Sequence, residues 1–158
     1  MKSGSLSEIK KELQELEPKQ LAELCIALAK YKKDNKEYLD YLMFESHDKN
    51  GFVTQVKQLV DENFAELNPN TNLYYAKKSL RKILRIINKY IKNFGDKAIA
   101  AELHIYFCRK LIASGIPIEK SVRLVNLKNG EIKKIKALID ALHEDLQYDY
   151  LKELEEIN

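Results

Sequence analysis

The stretch over 73–95, LYYAKKSLRKILRIINKYIKNFG, runs to its final glycine without a Gly, Pro, Asp or Glu before it. At about 100° per residue, Leu73, Ala76, Leu80, Ile83, Leu84, Ile87, Tyr90, Ile91 and Phe94 fall in one stripe about 120° wide. A strand alternates its side chains between two faces and would scatter these residues. The stretch is therefore a helix with a face to bury, and the rest of the chain must supply what covers it. Its opposite side carries Lys78, Arg81, Lys82, Arg85, Lys89 and Lys92, with Lys77 at the edge. None of these charges has an acidic neighbour in its own helix.

The other segments repeat the helical period. The spacing predicts helices over 7–16, 19–33, 34–46, 52–67, 96–114, 117–127 and 131–157, with no convincing strand. The breaks between them hold most of the five glycines and three prolines, a distribution that suits long helices and not the frequent turns of β architecture. Pro18 fits the first turn of a helix, where its missing N–H costs nothing. Residues 47–51 read as a turn ending in Gly51, residues 68–72 as the strongest loop, and Asn129-Gly130 as a further turn. Gly95 suits the position just past a helix end. The segment over 19–33 is apolar on most sides and reads as a covered core helix, while 96–114 is apolar nearly all round and belongs at the centre. Ile9, Leu13 and Leu16 are expected to face inward from the first helix. Ser5 or Ser7 reads as the cap of that helix, and its start as loosely fixed, because Ser7 and Lys10 do not form a capping box.

The expectation is one all-α domain over 1–158 with about eight helices, either an irregular bundle or a short armadillo- or HEAT-like stack of helical pairs. The second possibility rests on a hint of repetition. Leu21, Leu24, Cys25, Leu28, Lys30, Tyr31 and Lys33 match Leu80, Ile83, Leu84, Ile87, Lys89, Tyr90 and Lys92 at a constant offset. The segments AELCIALAKYKKDNKEYLDYLMFE, NLYYAKKSLRKILRIINKYIKN and HEDLQYDYLKELEE together resemble a family of small all-helical bacterial cytoplasmic proteins with no assigned function. The resemblance implies a bacterial, cytoplasmic setting and no activity.

Several chemistries find no foothold. His47, His104 and His143 lie in three separate helical contexts, and where a zincin motif begun at His143-Glu144 needs its second His the chain has Gln147. Two-metal carboxylate bundles need a Glu-x-x-His motif twice, and only Asp140 to His143 approaches that spacing. Neither phosphate-loop motif occurs, and the start of a calcium loop at Asp48-Lys49-Asn50-Gly51 has its glycine too early. His104 and Cys108, four apart on one helix, form the least implausible dyad, and no enzyme, metal or cofactor is expected. Cys25 and Cys108 both read as buried reduced thiols, since disulfide-stabilised secreted domains usually carry more cysteines. The amino terminus has no apolar signal segment and no stretch is long enough for a membrane span, so a cytoplasmic location is expected.

The reading that results is a binding module, with a protein partner expected first. A nucleic-acid backbone is the alternative, bound by Lys78, Arg81, Lys82, Arg85, Lys89 and Lys92 with Tyr74 and Tyr75 positioned to stack on bases. The basic face has a plainer explanation too. From Asp140 to Asn158 seven carboxylates stand against Lys152, a net charge of −6, and this acidic helix is expected to lie near the basic one.

Overall fold

The computed structural model describes residues 2–158. Helix accounts for 82% of the chain, so the all-α expectation holds, and there is no strand among the described residues. The helices are α1 (Leu6–Gln14), α2 (Pro18–Tyr31), α3 (Lys33–Asp40), α4 (Lys49–Ala65), α5 (Leu73–Phe94), α6 (Lys97–Ala113), α7 (Val122–Asp140) and α8 (Glu144–Ile157). The chain divides into two compact units, Met1–His47 and Asp48–Asn158.

The first unit holds α1 to α3. Ser5 caps α1 through a capping box that the sequence reading missed: its N–H donates to Glu8 Oε2 at 2.6 Å, and Glu8 N–H donates to Ser5 Oγ at 3.3 Å. The Ser5 N–H and then the Ser5 hydroxyl, which donates to the same Glu8 Oε2 at 2.9 Å, hold the Glu8 carboxyl below its ordinary range. Pro18 opens α2 as expected. The backbone is extended at Lys32, and α3 folds back on α2, fixed by the Asn35 amide, which donates to the Leu28 carbonyl at 2.8 Å. Beyond α3 the helix widens into a π turn, Tyr41–Glu45, closed by Ser46 N–H donating to the Tyr41 carbonyl five residues back at 2.8 Å.

α2 is not the covered core helix its composition suggested. No residue of α1, α2 or α3 is buried, and Leu24, Ile26 and Leu28 are 44%, 53% and 63% exposed. Apolar composition makes a helix want cover, but a unit with one hairpin has too few elements to supply it. The expected inward residues Ile9 and Leu13 of α1 are likewise exposed.

The second unit is a bundle around α6. Ile99, Ala100, Ala101, Leu103, Ile105, Phe107, Cys108 and Leu111 are buried on every side of that helix, which α4, α5, α7 and α8 surround. Helices in a solenoid meet only their neighbours in the stack, so this arrangement is the bundle of the two alternatives. The stripe of α5 turns toward the core, with Ala76, Leu80, Ile83, Ile87 and Phe94 buried and Leu73, Leu84, Tyr90 and Ile91 half-buried. α4 contributes Val53, Val56, Val60 and Phe64, whose ring sits 5.7 Å from that of Phe107.

Several boundaries differ from the sequence expectation. α4 starts three residues early, because the Asp48 carboxylate caps it by accepting from Gly51 N–H at 3.0 Å. Gly51 is thus inside the helix and does not end a turn. Asn72 caps α5 by accepting from Tyr74 N–H at 2.8 Å, and Gly95 ends it with φ 60°, a value that side chains disfavour. The region over 117–127 is a 3-10 turn, Ile118–Lys120, followed by the start of α7. α7 then runs straight through Asn129-Gly130. A glycine inside a helix costs about 1 kcal/mol, whereas each buried aliphatic side chain contributes about 1.5–3 kcal/mol. Leu124, Ile132, Ile135 and Ile139 are all buried from this one helix, so packing overrides the turn signal. The real break falls at 141–143, where His143 Nδ1 accepts from Asp145 N–H at 3.3 Å and caps α8.

Candidate anion-binding face

Burying the apolar stripe of α5 turns its opposite face outward. Tyr74, Tyr75, Lys78, Arg81, Lys82, Arg85 and Lys92 are exposed. Lys89 is half-buried and already engaged within the chain, so it stands apart from the others. The acidic helix does not answer this face. α8 packs on α6 and α7, and its Glu156 and Glu153 pair with Arg109 of α6 at 2.9 and 3.4 Å. Asp61 of α4 takes Lys110 of α6 at 3.0 Å, and Glu102 takes Lys57 at 2.6 Å. These pairs engage Glu153, Glu156, Asp61 and Glu102 within α4, α6 and α8, and among the described residues no ion pair joins α8 to Lys77, Lys78, Arg81, Lys82, Arg85 or Lys92 of α5.

What joins them instead is more positive charge. α5 and α7 pack side by side, and between them lies a groove of about 460 Å³ lined by Lys77, Arg81, Leu84, Arg123, Asn126, Leu127, Gly130, Glu131 and Lys134. A second depression of about 260 Å³ is lined by Tyr74, Lys77, Lys78, Arg81, Arg85 and Arg123. Lys77, Arg81 and Arg123 line both, so the two form one concave strip. The crowding of cations is felt at Lys77, whose ammonium is held below its ordinary pKa by partial desolvation and then by the charges of Arg81 and Arg123. The one carboxylate in the strip, Glu131, is buried, takes His104 Nδ1 at 2.6 Å and accepts from Lys134 Nζ at 3.3 Å, so Lys134 is already paired within the groove while Lys77, Arg81 and Arg123 are in no ion pair among the described residues.

Arg123, Asn126 and Lys134 escaped the sequence reading because α7 was expected to break at Gly130. Arg123 and Lys134 are eleven apart on that helix, about three turns, which puts both on one side only if the helix is continuous. At the N-terminal end of α5, Tyr74 and Tyr75 are 64% and 59% exposed, with ring centroids 5.5 Å apart and planes at 78°. Guanidinium groups donate in a fork that matches phosphate oxygens, and the tyrosine rings and Leu84 supply apolar surface beside that fork.

No group of three or more His, Cys, Asp or Glu among the described residues is placed to hold a metal ion. His104 and Cys108 both lie buried in the core. His104 is bonded to Glu131, and burial, with Glu131 adding to it, pushes the Cys108 thiol up to about 12. Cys25, expected to be buried, is exposed. Another cavity of about 300 Å³ is lined by Lys57, Glu102, Tyr106, Arg109, Tyr150 and Glu153 among others, whose charges largely pair with one another.

Fold and surface together define an all-α protein that presents a cationic groove. No protein-family model, curated protein or solved structure matches the chain, so any function assigned to it rests on its own geometry.

Proposed function

We propose that this chain is a binding module whose ligand is a polyanion with a phosphate backbone, held in the groove between α5 and α7. The supporting observation is the convergence of Lys77, Arg81 and Arg123 from two helices on one concave strip, while the acidic residues of α8 pair with Arg109. This reverses the order of the sequence expectation, in which a protein partner stood first. The test is anisotropy of a labelled oligonucleotide titrated with protein at several salt concentrations. With about four phosphates neutralised, affinity falls with a logarithmic slope near −2.8, roughly fifty-fold between 50 and 200 mM salt. Arg81→Glu with Arg123→Glu abolishes binding and leaves helix content intact. Absence of binding by wild type at 50 mM salt sinks the proposal.

A protein contact keeps its own support, in the first unit. Eleven large hydrophobic residues between Leu6 and Phe44 are more than a third exposed. Together they present on the order of 1,000 Å² of side chain, taking roughly 150–250 Å² for a whole large one. That is comparable with the ~800 Å² each partner contributes to a stable complex. The unit carries eight Lys against nine Asp and Glu, so it neither repels a copy of itself nor selects a charged partner. The occupant this fits is a second copy of the chain, and sedimentation across a concentration series checks it: a monomer at every concentration removes this reading. A bacterial cytoplasmic setting belongs to the proposal as well and rests on the family resemblance. No helix among the described residues is long and apolar enough to cross a membrane.

A further inference from the structure

We infer that the polyanion in the groove is a single-stranded nucleic acid, with unpaired bases stacked on Tyr74 and Tyr75. The inference rests on the phosphate-backbone reading above and adds the class of strand. Its starting point is the tyrosine pair. Tyrosine is a residue that folding usually covers in large part, yet these two neighbours leave well over half of each side chain in solvent. They are already set edge to face, 5.5 Å apart, the spacing at which aromatic rings hold one another. Each therefore keeps ring surface available at a fixed position.

That position is beside the cations. Tyr74 shares its depression with Lys77, Lys78, Arg81, Arg85 and Arg123. From Lys77 to Arg85 the helix rises about 12 Å, room for about three phosphates at the ~3.4 Å repeat of one strand. A backbone following that row brings its next base to the tyrosines at the N-terminal end of α5. In the other direction, the groove against α7 has Leu84 and Leu127 among its lining and Asn126 beside them, an apolar wall with a polar side chain that can both donate and accept. Cationic track, exposed rings and apolar wall are the components with which proteins hold single strands. A duplex would use only the first, because its base faces are hidden in its own stack. Polyanions without bases would use only the first as well.

The experiment compares four ligands at one salt concentration: a single-stranded oligonucleotide of about a dozen nucleotides, its duplex, inorganic polyphosphate, and anionic phospholipid vesicles. Each is measured against wild type, the double variant Tyr74→Ala with Tyr75→Ala, and the double variant Tyr74→Phe with Tyr75→Phe. The expected result is preference for the single strand, a loss of roughly 5- to 160-fold per stack removed in the alanine variant, and retained affinity in the phenylalanine variant. The salt slope stays unchanged in both, since no cation is lost. Equal binding of duplex or polyphosphate, with the alanine variant like wild type, overturns the single-strand inference while the phosphate-backbone reading stands. Binding to vesicles alone overturns the inference too. If no ligand binds, both fall. Circular dichroism of the variants guards against misfolding, and the exposure of both rings predicts unchanged spectra.

Discussion

Glu131 is a carboxylate in the core, and its environment sets its behaviour. Burial alone would raise its pKa, but the bond and charge of His104, helped by Lys134, outweigh burial and hold it below the ordinary 4.5. A depressed carboxylate contributes stability that is present above its unfolded pKa and is lost as pH falls through the folded one. Acid unfolding of wild type should therefore steepen below about pH 4.5, where the unfolded chain takes up the proton first. Glu131→Ala removes the hydrogen-bond partner of His104 in the core and should cost about 1–3 kcal/mol at neutral pH, read from the denaturant midpoint. Cysteine chemistry makes a second expectation at this scale. A thiol reagent should modify one cysteine of the native protein rapidly, Cys25, and reach Cys108 only on unfolding. Two fast thiols would contradict the burial described. Some of this was legible in the sequence. His104, flanked by Leu103 and Ile105, reads as a partly buried histidine with a satisfied partner, and Glu131 lies in register with Ile135 and Ile139, four and eight residues on. A carboxylate on an apolar stripe demands a partner, but which partner is a tertiary fact that no spacing along one helix encodes.

Helices were readable, and their ends less so. The stripe of α5 needed no context, because nine apolar positions kept one phase over six turns. Ser5 is one of the two caps the sequence offers for α1, and its pairing with Glu8 shows only when the box is counted from Ser5 and not from Ser7; Gly130 misleads because a local turn propensity says nothing of four aliphatic side chains buried from the same helix. That misreading can be tested directly. A Cβ at Gly130 meets nothing within 4 Å, so Gly130→Ala should stabilise the second unit by about 0.5–1 kcal/mol. A turn at 129–130 would predict the opposite sign. Gly51 behaves differently: a Cβ there would run into the Asp48 carboxylate that caps α4. Gly51→Ala should displace that cap at about 1 kcal/mol, which cancels the gain of about 0.5–1 kcal/mol from removing a helical glycine, so thermal unfolding should show no net stabilisation, in contrast to Gly130→Ala.

At the scale of the molecule the core belongs to Asp48–Asn158, because every buried hydrophobic residue except Tyr41 lies there. A fragment over 48–158 should keep its helical spectrum and unfold in one cooperative transition. Limited proteolysis of the full chain should cut first between α3 and α4. A fragment that melts without cooperativity would show that α1 to α3 are needed to complete the core. The same unit keeps its charges apart. Cations are gathered on α5 and the near side of α7, while α8, which packs against α6 and α7, carries six carboxylates against Lys152. Separated charge gives the unit an electric dipole, and dipoles attract one another head to tail. Copies should then cohere weakly in dilute buffer and disperse as ions screen the attraction over about 10 Å at 0.1 M, so that solubility rises with the first additions of salt.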